Sequence, residues 1–229
     1  MARHPSLEPD ALLAAYARGW FPMDEAGATG AIGLYEADPR AIIPVDGFRL
    51  PRSVARGLRR EGYEIRVDAA FEGVAAACAV RPGEPAWLTP RLIDAYVRLH
   101  RLGVAHSVEA WRRGRLCGGL FGVALGGLFT SESMFHRAPD AGSATLVATG
   151  AMLRASGFAL WDIQMTSPHT ERFGATEVDR RAYRRRLREQ INERITVVTD
   201  YLPTDRLVTP PTLPTTAPPP RQLRAYRED

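Results

Sequence analysis

The chain has no lysine: all 30 basic residues among its 229 are arginine. High-GC codon usage is the plain source of such a bias. Its physical consequence holds regardless, since every basic contact is a planar, permanently charged fork suited to phosphate. A net charge of +4 permits an anionic partner without demanding one. Cysteine is scarce as well. Cys78 and Cys117 each stand alone in an apolar stretch, with no CxxC and no His/Cys cluster. That argues against a structural zinc site, so no metal is expected, and it suits a reducing compartment. No apolar run approaches the roughly 20 residues of a membrane span. The first ten residues lack the apolar core of a signal peptide. A cytoplasmic protein with no membrane partner is the expectation.

What is present is an ordinary globular mix, 45% apolar and 24% charged. At this length roughly 70% of the unfolded surface can be buried, so no disulfide is needed. Composition splits the chain into a head, a body and a tail. Seven of the 18 prolines lie from Pro203 to Pro220, among threonines and few apolar anchors, so residues 203–229 read as a disordered tail without chemistry.

In the head, Leu12, Leu13 and Tyr16 share one face of a helix over residues 9–18, with Pro9 at its start and Gly19 at its stop. An apolar knot, Trp20-Phe21-Pro22-Met23, precedes a Gly/Ala-rich loop. A helix from Pro51 aligns Arg52, Arg56 and Arg60 at i, i+4 and i+8 as one basic stripe. The body reads as a strand at 64–68, a helix at 69–80 and a helix from Thr89-Pro90 to Gly103. Strands follow at 105–111, 116–124 and 128–135, joined by short glycine-bearing turns as an antiparallel meander. A small-residue helix at 143–156, an apolar strand at 158–165 and a basic helix at 179–191 complete it. This is α+β, and the order resembles the GNAT acyltransferase layout.

A coenzyme A-binding GNAT loop would read Q/R-x-x-G-x-G/A at a helix N-terminus. Arg154-x-x-Gly157-x-Ala159 matches the letters but closes a helix, where the dipole is negative. No cofactor is therefore expected. Asp162 and Gln164 fall on one face of the apolar strand. They are either a structural polar pair bonded to loop backbone, or a carboxylate orienting a glutamine toward a reacting group. Either way the acid must be hydrogen-bonded, because an unpaired buried charge is costly. Glu132, in Ser131-Glu132-Ser133-Met134-Phe135, is either an edge-strand charge in solvent or a second acid facing a central cleft. His169 lies within reach of the same region, or is merely solvated.

Ordered motifs carry a specific resemblance. They are Leu12-Leu13-x-x-Tyr16-x-x-Gly19-x-Phe21-Pro22, then Trp87-Leu88-Thr89, then Tyr96-x-x-Leu99-His100-x-x-Gly103-x-Ala105-His106-Ser107-Val108-Glu109. Gly118-Gly119-Leu120-Phe121-Gly122-Val123, Glu132-Ser133-Met134-Phe135 and Asp162-x-Gln164-x-x-x-x-His169-x-x-x-x-Gly174-Ala175 follow. Together, across residues 10–190, they resemble the leucyl/phenylalanyl-tRNA–protein transferases.

The resemblance implies transfer of Leu or Phe from aminoacyl-tRNA to the N-terminal amine of proteins beginning with Arg or Lys, which marks them for N-degron degradation. It implies a small N-terminal domain (1–38) before a GNAT-like catalytic domain (39–202), and no metal; a monomer is the expectation. It implies that Gln164 bonds at the reacting ester or amine, that Asp162 orients it, and that Glu132 binds the cationic acceptor. Phe129, Met134 and Leu153 fall on positions of the apolar side-chain pocket, Trp87 on an adenosine stack, and Met23 and Ser167 nearby. Arg52, Arg56 and Arg60 are the first candidates for a sequence-independent tRNA surface, with Arg184, Arg185 and Arg188 second. The sequence departs from the family at Met23, Leu34, Tyr35, Glu36, Ala37, Ser131, Ala144 and Ser167. Related readings are a GNAT-fold transferase with another donor or acceptor, and a tRNA-binding relative without transfer.

Overall fold

The computed structural model describes residues 6–24, 32–80 and 87–199. The expected tail at 203–229 lies outside them, as does most of the Gly/Ala-rich loop. In chain order the elements are α1 (Pro9–Tyr16), β1 (Phe21–Asp24), β2 (Ile32–Tyr35), β3 (Arg40–Ile43), α2 (Arg52–Glu61), β4 (Glu64–Val67), α3 (Phe71–Ala79) and α4 (Pro90–Arg101). Then come β5 (Ala105–Arg112), β6 (Arg115–Leu125), β7 (Leu128–His136), α5 (Ala141–Ser156), β8 (Leu160–Gln164), α6 (Pro168–Glu171), β9 (Thr176–Val178) and α7 (Arg180–Gln190).

Seven strands form one sheet in the order β4-β5-β6-β7-β8-β3-β9, and β1 and β2 form a separate hairpin. Every adjacent pair is antiparallel except β7 and β8. Strand alternation sends Leu120 of β6 to one face and Phe121 and Val123 to the other. On the first face α2 and α5 cover the sheet around Val54, Leu58, Leu146, Met152 and Trp161. On the second, α3 and α4 pack with Leu12 and Tyr16 of α1 and Phe21 of β1. The head thus shares a core with the body. A third cluster packs Tyr183 and Leu187 of α7 against Ile42, Leu128 and Leu160.

The expected helices and the β5-β6-β7 meander are present, with α5 starting two residues earlier than expected. Gly157 closes α5 in the left-handed region at φ +87°, so the Arg154-x-x-Gly157-x-Ala159 stretch does sit at a helix C-terminus. The short elements β1, β2, β3, β9 and α6 have no counterpart in the sequence reading. Each is only three or four residues long. Pro22 lies inside β1 and Arg40 opens β3, both against strand pattern.

Candidate active site

The two central strands part company early. β7 pairs with β8 only at Leu128↔Leu160, Phe129↔Trp161 and Thr130↔Asp162, although β7 runs on to His136. Beyond Thr130 the strands splay, and a cleft of about 400 Å³ opens between them. Phe21, Met23, Trp87, Glu132, Gln164 and Ser167 are among the residues lining it.

Two backbone irregularities aim the polar residues. Phe121 faces Ser133 and Gly122 faces Ser131, so Glu132 is the extra residue of a β-bulge. Bulges re-aim a side chain at the cost of one ladder position. Gln164 ends β8 at φ +57°, and the Met165 N–H donates to the Ile163 carbonyl at 2.6 Å around it. That is a γ-turn with positive φ, a rare and strained conformation for a side-chain-bearing residue.

Asp162 holds that turn in place. Its Oδ1 accepts the Gln164 backbone N–H at 2.9 Å. Its oxygens also accept from Arg40 Nε at 2.9 and 3.1 Å, from Arg40 Nη2 at 2.6 Å and from the Tyr183 hydroxyl at 2.7 Å. Arg40 lies between the rings of Phe21 and Tyr183, 4.9 and 4.7 Å from their centroids, and donates to the Gly19 carbonyl. Asp162 and Arg40 are at most 1% exposed. The sequence expectation had Asp162 orienting the Gln164 amide; the observed bond runs to the Gln164 backbone instead. Asp162 therefore lies behind the cleft and holds the Gln164 backbone rather than its side chain. Sequence reasoning missed Arg40 and Tyr183, the partners that a buried acid demanded.

Glu132 is held on one side only. The Tyr96 hydroxyl donates to its Oε2 at 2.8 Å and lies 3.0 Å from the Tyr16 hydroxyl. Oε1 is shut from solvent and has no hydrogen-bond partner among the described residues. Burial pushes the Glu132 carboxyl up to about 7, against the Tyr96 and Tyr16 hydroxyls, which favour its ionised form.

The remaining candidates divide. Met23, Trp87, Met134 and Ser167 line the cleft, and Ser167 also caps α6 in a reciprocal box with Thr170. Phe129 and Leu153 do not line it: both are fully buried in the core cluster of α2 and α5, Phe129 edge-on to Phe158. The apolar wall is instead Leu120, Met134, Leu146 and Ile163. Leu146 is two turns before Leu153 on the same helix face, a spacing that could have nominated it. His169 packs on Phe173 rather than in the cleft, its pKa lowered by burial and by Arg172 and His136. Arg52 and Arg56 are exposed and make no ion pair among the described residues, while Arg60 pairs with Glu61 and Asp140. Arg185 and Arg188 are exposed on α7. Arg184 is engaged in a two-pronged bond to Glu36, one of the departures.

Comparison with known proteins identifies the family. Residues 42–188 match the family model described as leucyl/phenylalanyl-tRNA protein transferase, and residues 6–38 match the model of its N-terminal domain. Among similar proteins is the leucyl/phenylalanyl-tRNA–protein transferase of Rubrobacter xylanophilus, 49% identical over 186 residues, 81% of this chain and 95% of that one. The proteins of that name from Salinibacter ruber and Akkermansia muciniphila are 46% and 45% identical over 181 and 190 residues. They align with 79% and 82% of this chain and with 79% and 97% of their own lengths. The chain belongs to the leucyl/phenylalanyl-tRNA–protein transferase family.

Proposed function

We propose that the cleft transfers Leu or Phe from aminoacyl-tRNA to the N-terminal amine of a protein beginning with Arg or Lys, producing an N-degron. The observation that carries this reading is Glu132, whose buried Oε1 has no partner among the described residues, in the lining of a cleft that also holds Leu120, Met134, Leu146 and Ile163. An apolar aminoacyl side chain fits against Leu120, Met134, Leu146 and Ile163, with the terminal adenosine on Trp87. An ammonium supplies the partner that Oε1 lacks.

The donor is already an activated ester, so positioning does most of the work. An α-amine titrates near 7.7–8.0, about one unit above Glu132. Moving its proton to the carboxylate therefore costs only about 1.4 kcal/mol. The neutral nitrogen attacks the ester carbonyl and the C–N bond forms. As the C–O bond breaks, the ribose oxygen takes the proton held by Glu132. The attacking nitrogen gives its second proton to the freed Glu132 carboxylate and on to solvent, leaving a neutral amide and a free ribose hydroxyl. Gln164 donates its amide to the carbonyl oxygen as charge develops there.

The β5-β6-β7 meander, the splayed parallel pair β7/β8 and α5 between them support a GNAT-like catalytic domain over 39–202, preceded by a small N-terminal domain at 1–38. We read the protein as a cytoplasmic monomer. No described helix is long and apolar enough to cross a membrane.

The test is incubation with radiolabelled Leu-, Phe- and Met-tRNA and matched proteins beginning with Arg or Ala. Label on the Arg-starting protein from Leu- or Phe-tRNA is the expected result. Equal labelling of both proteins removes the acceptor assignment, and no labelling removes the transferase reading.

A further inference from the structure

The arginines of the β5–β6 turn take no part in the cleft. Arg112 pairs with Arg115 across a two-residue loop in which Arg113 and Gly114 both have positive φ, +52° and +71°. Asn-Gly ordinarily fills such a turn, and an arginine in the left-handed region costs on the order of 1 kcal/mol. The turn borders a hollow of about 1150 Å³ formed with the end of α2 and the end of β7. Five arginines line it, Arg60, Arg112, Arg113, Arg115 and Arg137, with Glu61 the one acid of the described lining and Asp140 3.7 Å from Arg60 outside that lining. Glu61 is already shared by Arg60 at 3.0 Å and by Arg112. Arg113, Arg115 and Arg137 are exposed and make no ion pair among the described residues. The Arg137 guanidinium rests 5.1 Å from the centre of the Phe135 ring.

We propose that this hollow is a phosphate-binding site for the backbone of the donor RNA, additional to the α2 stripe and joined to it through Arg60. The proposal rests on the transferase reading. Charge comes first: three arginine forks without acids await anions, and phosphate matches their geometry. Size comes second, because the hollow is far larger than one small anion and suits a run of sugar–phosphate backbone. Continuity comes third. Arg52, Arg56 and Arg60 extend about 12 Å along α2 and end at the hollow. On the other side, Arg137 follows Met134 of the cleft by three residues, about 10 Å of extended chain. An RNA whose end enters the cleft can lay its backbone across both surfaces.

The test compares the wild-type chain with Arg113→Asn/Arg115→Ala and, separately, Arg137→Ala. Asparagine suits the positive φ of position 113, and melting curves check the fold. Affinity for deacylated tRNA is followed across a salt titration. Transfer is measured from whole aminoacyl-tRNA and from 3′-aminoacyl-adenosine, which has no stem phosphates. The double variant should raise KM for whole tRNA about tenfold with kcat nearly constant. Its salt slope should flatten by about one for each phosphate the protein no longer neutralises. The loss with whole tRNA should exceed the loss with the short donor at least about fivefold. Equal losses on both donors, an unaltered salt slope, or a change in KM for the acceptor protein instead overturns the hollow while the transferase reading stands. Failure of the wild-type chain to transfer from either donor overturns the transferase reading itself.

Discussion

Glu132 Oε1 is buried with no partner among the described residues, so its carboxylate lowers stability as soon as it ionises. The Glu132 carboxyl titrates at 4.5 when unperturbed and at about 7 in the fold. Between those values the folded state holds more protons than the unfolded one, so stability falls as pH rises from about 4.5 to about 7 and levels off above. The full effect is on the order of 3 kcal/mol. Glu132→Gln keeps an acceptor for the Tyr96 hydroxyl and cannot ionise. It should melt above the wild-type chain at pH 8, with the gap closing toward pH 5, while transfer falls about 10²-fold. A variant that melts no higher than wild type at pH 8 would mean that Glu132 is not ionised in a buried setting. Wild-type kcat/KM should rise through about pH 7, as Glu132 ionises and the acceptor amine begins to deprotonate.

At the scale of elements, β3, β8 and α7 are tied together through Asp162. Removing one partner of a buried pair strands the other, so Asp162→Ala should cost about 3–5 kcal/mol. Melting temperature alone cannot separate that structural loss from a loss of chemistry. The double variant Arg40→Met/Asp162→Leu can, because apolar replacement of a buried pair is often neutral. Most of the stability should return, but turnover per folded molecule should not, since the Gln164 N–H still lacks its acceptor. Recovery of both would make Asp162 purely structural. On the surface, Arg52→Glu/Arg56→Glu should weaken tRNA binding for every tRNA sequence and flatten its salt slope by up to about two. Arg184→Ala should leave that slope unchanged, because Glu36 already occupies its guanidinium. Equal effects of the two changes would move the RNA surface to α7. These contrasts show what the sequence made legible. Periodicity and capping gave the long helices and the meander, and a buried acid beside a glutamine gave Asp162 and Gln164. Arg40 was not legible as the partner, because it lies 122 residues away and looks like any other arginine. Nor was the bulge at Glu132, which arises from register between strands rather than from composition.

For the whole molecule, the question is how much chain the fold and site require. Residues 6–38 match a separate family model, yet Leu12, Tyr16, Phe21 and Ile32 sit in one core with α3 and α4. Gly19 also supplies the carbonyl that holds Arg40, and Tyr16 stands behind the Tyr96–Glu132 bond. The head therefore completes the site as well as the core. At the other end the main family match stops at residue 188, but the core does not: Val197 is buried in the α2–α5 cluster, Ile195 packs beside it, and the Val198 N–H donates to Ser156 Oγ. A chain ending after residue 202 retains Ile195, Val197 and the Val198 bond. It should melt with the full chain and transfer at the same rate, which assigns 203–229 no part in the chemistry. A chain ending after residue 194 removes two apolar side chains from the core. At about 1.5–3 kcal/mol for a fully buried aliphatic residue, and less for the half-buried Ile195, it should unfold several degrees earlier while its turnover per folded molecule stays close to wild type. Lost activity in the 202-residue chain, with melting unchanged, would give the tail a direct role in binding tRNA or acceptor. Unchanged melting in the 194-residue chain would mean that Ile195 and Val197 add nothing to the core they touch.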